Sequence, residues 1–257
     1  MSAELSVLGA GSILPRRGYG PAGYALRPGP GEPVTLLDCG PGSLRALGVA
    51  GIGLDEVRRV VFSHYHLDHC LDVFALAFAR RNPRFQAPPI ELCGPAGLER
   101  LVEGAPRALG RWARDPCARL REVAVDREGR GAFAAGGMCF TCVENGHSAG
   151  AVSWRIELPG GAVLAYSGDT GAVPAVARLA RGADLFVLEC SFPDAAAVPT
   201  HLSPTSAGRM AQESGAAACL LTHFYPETDP RRSREIVGQI YSGTVHLARD
   251  GSVHRVG

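Results

Sequence analysis

Short apolar runs bounded by Gly and Pro recur along the whole chain: Leu5 to Leu8, Val34 to Leu37, Val60 to Phe62, Ile90 to Leu92, Val123 to Val125, Met138 to Val143, Val152 to Leu158, Ala162 to Tyr166, Leu185 to Leu188 and Cys219 to Leu221. Their brevity and β-branched content predict strands, because a buried strand needs only a few consecutive apolar residues. Between them, helices are predicted over Ser43 to Val49, Cys70 to Arg81, Gly97 to Leu109, Val173 to Arg181, Pro204 to Ser214 and Arg231 to Tyr241. Ser203-Pro204 sharpens one start, since serine caps a helix and proline, lacking an N–H, is tolerated in its first turn. Gly29-Pro30-Gly31-Glu32-Pro33 reads as a hairpin loop, and Asp126 to Gly137 as a glycine-rich exposed connection. Strands lead and helices are interleaved in both halves, which predicts an α/β architecture of two sheets packed face to face with helices outside. Neither a linker nor a repeat is visible, so residues 1–257 are expected to form a single domain.

Charge narrows the partners. The 26 basic residues, every one of them Arg, are nearly cancelled by 25 acidic ones, and a net charge of +1 argues against a strongly electrostatic nucleic-acid or membrane binder. The first residues, Met1-Ser-Ala-Glu-Leu-Ser-Val-Leu8, lack the basic start and apolar centre of a signal peptide. No apolar run approaches the ~20 residues of a membrane span, so the expected compartment is the cytoplasm. Eight cysteines scattered mostly within apolar runs read as buried thiols in a reducing compartment. Cys139-Phe-Thr-Cys142 has CxxC spacing but lies in a strand-like run with no helix after it, which argues against a redox role.

Reactive chemistry concentrates in His64-Tyr65-His66-Leu67-Asp68-His69, directly after Val60-Val61-Phe62. Imidazole is the commonest protein ligand for zinc-like ions, and a neighbouring carboxylate adds a harder oxygen donor. In extended backbone His64 and His66 point to the same side, so two nitrogens can converge on one ion. Where the chain turns into a helix, Asp68 and His69 leave in a new direction and can reach a second. Further candidates each lie beside an apolar run: His147, Asp169, Glu189, His201 and His223. Only His246 and His254 fall outside this set of histidines.

Taken with Leu5-Ser-Val-Leu-Gly-Ala-Gly-Ser12, Asp38-Cys-Gly-Pro-Gly-Ser43, Gly168-Asp-Thr170, Leu188-Glu-Cys-Ser-Phe192, His201-Leu-Ser203 and Thr222-His-Phe224, the hexapeptide resembles the signature of the metallo-β-lactamase superfamily. Within it, the chain is most similar to the ribonuclease Z-like branch. The resemblance implies a four-layer αββα sandwich and a hydrolase with two divalent ions, zinc first, with manganese or iron as alternatives. It would place one ion on His64, His66 and His147, the other on Asp68, His69 and His223, with Asp169 bridging. A water between two such ions ionises near neutral pH, since zinc lowers a water pKa to about 7, and the resulting hydroxide is the expected nucleophile. Asp68, His201 and Glu189 are the catalytic candidates. In the branch, an imidazole in the place of His201 stands beside the departing oxygen and a carboxylate in the place of Glu189 holds it. A simpler role for His201 is to cap the helix starting near Pro204.

Three positions keep two readings. Asp72 departs from the branch, where a small residue is usual, and either serves the site or complements the charge of a helix N-terminus. Arg16-Arg17 follows the first strand where the branch carries basic residues near substrate phosphate, or is solvated loop charge. Asp38 to Gly42 reads as a tight turn beneath the site whose glycine amides could also cradle phosphate.

Transfer-RNA-trimming members of the branch carry a long arm between the third ligand motif and the bridging aspartate. Here only residues 148–168 lie between His147 and Asp169, enough for one hairpin. The expected substrate is therefore a small nucleotide or cyclic phosphodiester rather than a long RNA. The alternatives are a thioesterase, lactonase or β-lactam hydrolase on the same centre and, more remotely, a non-catalytic binding protein. A homodimer is what the family suggests.

Overall fold

The computed structural model describes residues 3–83 and 88–257. In chain order its strands are β1 (Ala3–Gly9), β2 (Gly23–Arg27), β3 (Val34–Cys39), β4 (Val57–Val61), β5 (Glu91–Gly94), β6 (Arg119–Glu122), β7 (Arg130–Ala135), β8 (Met138–Glu144), β9 (Val152–Glu157), β10 (Val163–Tyr166), β11 (Leu185–Glu189), β12 (Ala218–Thr222), β13 (Thr244–Leu247) and β14 (Val253–Val256). The helices are α1 (Ser43–Val49), α2 (Leu67–Cys70), α3 (Asp72–Arg80), α4 (Leu98–Leu109), α5 (Pro174–Leu179), α6 (Pro204–Ser214) and α7 (Pro230–Ile240).

The strands form two seven-stranded sheets, ordered β14-β1-β2-β3-β4-β5-β6 and β13-β12-β11-β10-β9-β8-β7. Each sheet is mixed in the same way. Pairings from β14 to β3 and from β7 to β10 are antiparallel, and those from β3 to β6 and from β10 to β13 are parallel. Leu5, Leu26 and Leu37 of one sheet face Phe140, Trp154 and Leu220 of the other in a buried inner core. Leu47, Leu76, Leu98 and Val102 hold α1, α3 and α4 on the outside of the first sheet. Val176, Met210 and Val237 hold α5, α6 and α7 on the outside of the second. This is the expected αββα sandwich.

Several buried polar links tie the sheets together beneath one end. The indole Nε1 of Trp154 donates to the carbonyl of Phe62 at 2.9 Å, and the amide of Val152 donates to the carbonyl of Ser63 at 2.9 Å. Both fall directly before His64, so the start of the histidine motif is fixed against the second sheet. Tyr24 Oη and Thr222 Oγ1 lie 2.6 Å apart across the same gap.

Departures from the sequence expectation cluster at sheet edges. Val123 to Val125 is not a strand; β6 precedes it, over charged and mostly exposed Arg119-Leu-Arg-Glu122. The stretch expected as an exposed connection, Asp126 to Gly137, contains β7, whose Phe133 stacks on Phe140 with centroids 4.5 Å apart. An edge strand contacts the core with few residues, so it need not carry a run of large or β-branched apolar side chains. β2 also escaped notice, as a five-residue strand between a Pro-Ala pair and Pro28. The helix expected from Cys70 begins earlier, as α2, and continues as α3 after Leu71.

Candidate metal centre

Parallel strands leave their carboxyl ends at one rim, where chain crossovers open a crevice. Asp38 lies near the end of β3, the histidine hexapeptide follows β4, His147 follows β8, Asp169 follows β10, Glu189 ends β11 and His223 follows β12. The turn after β3 presses against α2: a Cβ added to Gly40 would lie 1.9 Å from the carbonyl oxygen of Asp68. Asp38 (φ 56°) and His223 (φ 58°) are the non-glycine residues with positive φ among the described residues. That conformation is costly for residues with a Cβ, and both are held in it at this rim.

Two groups of donors converge. His64, His66 and His147 form one, with His66 Nδ1 3.1 Å from His147 Nε2. Asp68, His69 and His223 form the other, with His69 Nε2 3.3 Å from His223 Nε2 and Asp68 Oδ2 3.6 Å from His223 Nε2. Asp169 stands between them. Its Oδ2 lies 3.9 Å from His64 Nε2 and 3.8 Å from His147 Nε2, while its Oδ1 lies 3.2 Å from His69 Nε2 and 3.3 Å from His223 Nε2.

Outer hydrogen bonds decide which nitrogen each ring presents. His69 Nδ1 donates to Asp38 Oδ2 at 2.7 Å, and His147 Nδ1 donates to the carbonyl of Thr200 at 2.9 Å. Ser63 Oγ gives its proton to Asp38 Oδ2, so its oxygen accepts from His64 Nδ1 at 3.0 Å. Ser191 Oγ gives its proton to Glu189 Oε2, so it accepts from His223 Nδ1 at 3.0 Å. Four rings thus turn Nε2 into the crevice. His64 Nε2 and Asp169 Oδ1 are buried with no hydrogen-bond partner, which is costly for atoms of this kind unless a cation satisfies them. Imidazole nitrogens with carboxylate oxygens are the donor set of a divalent ion such as zinc, so the residues fit the group.

Electrostatics without an ion follow the same layout. Burial, with the charges of neighbouring imidazoles, holds His64 well below the ordinary histidine range and lowers His66 less. For His69, burial is outweighed by Asp169 and Asp38, which raise it well above that range. Burial opposes ionisation of Asp68, yet the His223 and His69 imidazoles beside it bring it down to about 2, and His223 with His69 likewise depress Asp169.

Beside the two groups, His201 Nδ1 lies 3.1 Å from Glu189 Oε1. Glu189 is fully buried, where an unpaired carboxylate would cost several kcal/mol. It is instead met by the amides of Thr170 at 2.6 Å and Leu202 at 3.1 Å, and by the hydroxyl of Ser191. Burial would lower the pKa of His201, but Glu189 outweighs it and raises it. The His201 ring lies 4.6 Å from that of His147 and 5.9 Å from that of His223.

The beta-lactamase superfamily domain matches residues 35–224, which span every one of these side chains. The chain belongs to the metallo-β-lactamase superfamily, in its ribonuclease Z-like branch. A Mycobacterium tuberculosis protein, Rv1339, is 33% identical over 261 residues, covering 100% of this chain and 90% of its own. Ribonuclease Z of Kineococcus radiotolerans is 31% identical over 303 residues, covering 96% and 93%. That alignment is longer than the present chain, so the ribonuclease carries insertions. Among solved structures, the metallo-β-lactamase-fold protein YhfI of Bacillus subtilis superposes with a TM-score of 0.84 at 23% identity, covering 99% of this chain and 100% of its own.

In this metallo-β-lactamase-fold chain His201, Asp72 and Arg16 each have defined partners. His201 does not cap α6; Ser203 does, in a reciprocal pair with Ser206. Asp72 Oδ2 accepts the amides of Gly42 at 3.0 Å and Leu44 at 2.9 Å, so it closes the start of α1 rather than of its own helix. Arg16 Nη1 donates to the carbonyls of Tyr225 at 3.0 Å and Thr228 at 2.7 Å, bracing the loop after His223, while Arg17 is exposed. Cys139 and Cys142 are free thiols, one exposed and one buried. His246 and His254 face each other on β13 and β14. Sequence reasoning missed Asp38 as a partner of His69 and gave Ser191 no role beyond its place in Leu188-Glu-Cys-Ser-Phe192. A lone aspartate before Cys-Gly-Pro-Gly looks like turn chemistry, and only the burial of Asp38 beside His69 distinguishes it.

Proposed function

We propose that this single hydrolase domain is a phosphodiesterase acting on a small nucleotide or cyclic phosphodiester, with two zinc ions. One would sit on His64, His66 and His147, the other on Asp68, His69 and His223. The observation that carries the two-ion reading is the division of Asp169, one oxygen toward each histidine group. When bound, such ions supply Lewis acidity and lower the pKa of water to about 7. The residues do the rest. Glu189 fixes Nδ1 of His201 and favours its protonated form, leaving Nε2 to give a proton to the departing oxygen. Asp68 stays ionised and orients by its charge.

A short diester fits better than transfer RNA. Between His147 and Asp169 the chain is consumed by the antiparallel β9–β10 hairpin, leaving no length for an RNA-gripping arm. Among the described residues, no helix is long and apolar enough to cross a membrane. The test is a panel offered to zinc- or manganese-loaded protein: bis-p-nitrophenyl phosphate, 2′,3′-cyclic nucleotides, thioesters and lactones. Turnover of the phosphodiesters supports the proposal; turnover confined to thioesters or lactones replaces it with carboxyl-ester chemistry.

A further inference from the structure

Two aromatic side chains beside the candidate centre have no place in the cores. Phe192 follows β11 and Tyr225 follows β12, so adjacent parallel strands deliver both to the rim that bears Glu189 and His223. Their rings stack with centroids 4.4 Å apart and planes 30° apart. Phe224 points inward and is fully buried, whereas Phe192 and Tyr225 are partly open and join none of the three buried clusters. Packing alone therefore leaves these two rings unexplained.

The pair is also held in place. Thr228 Oγ1 donates to the carbonyl of Ser191 at 2.6 Å, joining the two loops, and Arg16 clamps the carbonyls of Tyr225 and Thr228. The Phe192 ring lies 5.4 Å from that of His201, and the Tyr225 ring lies 5.7 Å from that of His223 and 6.1 Å from that of His201.

We infer that Phe192 and Tyr225 form a stacking platform for the nucleobase of the substrate. This rests on the phosphodiesterase reading and adds what that reading leaves open, the group beyond the phosphate. A nucleotide separates base from phosphate by one sugar, which matches a platform one ring away from His201 and His223. The adenine of a coenzyme A thioester, many bonds from its carbonyl, does not match. Stacking tolerates any base, because every base presents a π face.

Calorimetric titration of the zinc-loaded protein with adenosine 5′-monophosphate and with ribose 5-phosphate tests the inference. Wild-type protein is expected to bind the base-bearing compound roughly tenfold more tightly, the scale of one stacked base. Tyr225→Phe keeps that advantage and Tyr225→Leu loses most of it, with zinc content and ribose 5-phosphate affinity unchanged in both. Equal affinities in the wild type, or an advantage that survives Tyr225→Leu and Phe192→Leu together, overturn the platform. Hydrolysis distinguishes the two failures. Equal kcat/KM on adenosine 2′,3′-cyclic phosphate and on ribose 2,3-cyclic phosphate with intact turnover removes the platform alone. A tenfold preference in binding without cleavage of any phosphodiester removes the phosphodiesterase reading alone.

Discussion

Asp38 and His69 are fully buried and joined by a 2.7 Å hydrogen bond from Nδ1 to Oδ2, which fixes the ring so that Nε2 faces His223 and Asp169. The same carboxylate takes the amide and hydroxyl of Ser63 and the phenol of Tyr166 at 2.6–2.7 Å, so its position is over-determined. A hydrogen bond behind a ligand sets both its orientation and its basicity, and removing one typically costs 10–100-fold in metal affinity (roughly). Asp38→Asn is expected to weaken zinc binding by about that factor while leaving the fold intact. Competition with a chromophoric chelator measures it, and unchanged affinity would remove Asp38 from the centre.

The same pair gives the centre a pH dependence. Without an ion, Asp169 and Asp38 keep the pKa of His69 well above its ordinary value, so its contribution to stability is fully present below about pH 6.5 and fades as pH rises through the raised value. Asp68 and Asp169 act oppositely: their contributions stand above about pH 4 and are lost as pH falls toward their depressed values. A cation entering beside His69 Nε2 must displace its proton, whereas His64 and His66, with lowered pKa values, have none to lose near neutrality. Zinc loading near neutral pH should therefore release at least one proton, and affinity should rise with pH. Calorimetry in two buffers of different ionisation enthalpy reads the number directly. Proton-neutral binding would contradict the assignment of His69.

Removing donors should separate the two groups. His66→Ala takes one nitrogen from the more open group and leaves Asp68, His69 and His223 untouched, so one zinc equivalent is expected to be lost. Asp169→Ala removes the oxygens facing both groups and should weaken retention of both ions. Elemental analysis after gel filtration decides. Full metal content in both variants would defeat the two-ion reading.

How much of this was legible beforehand depended on whether a role is written in residue type or in shape. Histidine beside strand ends is scarce and chemically specific, so the candidate donors could be picked out along the chain, while their division into two groups was implied by the family resemblance; the helix starting at Pro204 with its Ser203 cap was legible directly. Asp38 could not, because an aspartate before glycine and proline is equally a turn former, and its value here comes from burial against His69. Arg16 had two readings, a phosphate contact or solvated loop charge, and neither described the bracing of the loop after His223 by its Nη1, which donates to the carbonyls of Tyr225 and Thr228. The edge strand β6 is charged and β7 has only Gly and Ala around Phe133, so neither shows the β-branched run that marks a buried strand.

Gly40 tests whether close backbone approach shapes the centre. A methyl group there would sit 1.9 Å from the Asp68 carbonyl oxygen and 2.8 Å from that of Ala22, both of them backbone atoms with little freedom to give. Gly40→Ala should destabilise the fold by about 1–3 kcal/mol or more, as overpacking does, and lower zinc affinity by moving Asp68. Gly31→Ala is a poor control because its φ is 76°, whereas Gly104, in α4 with open space around it, should accept alanine without loss. Thermal unfolding of the two variants makes the comparison, and equal midpoints would show that α2 can move away from the turn.

His201 and Glu189 are separable from the metal donors by what they change. If His201 gives a proton to the departing oxygen, His201→Ala should lower kcat by about 10²–10⁴ with zinc content and KM nearly unchanged. The loss should shrink for a substrate such as bis-p-nitrophenyl phosphate, whose p-nitrophenolate leaves without needing a proton. Glu189→Gln keeps one acceptor oxygen, for the amide of Thr170 or of Leu202 but not for both, and removes the charge that favours the protonated ring, so the alkaline limit of activity should move to lower pH as the pKa of His201 falls. The alternative is that His201, which shares a cluster with Glu189 and His223, helps to hold an ion. In that case His201→Ala loses zinc together with turnover and the dependence on leaving group disappears. Elemental analysis of the variant alongside the two substrate rates therefore assigns the residue to one role or the other.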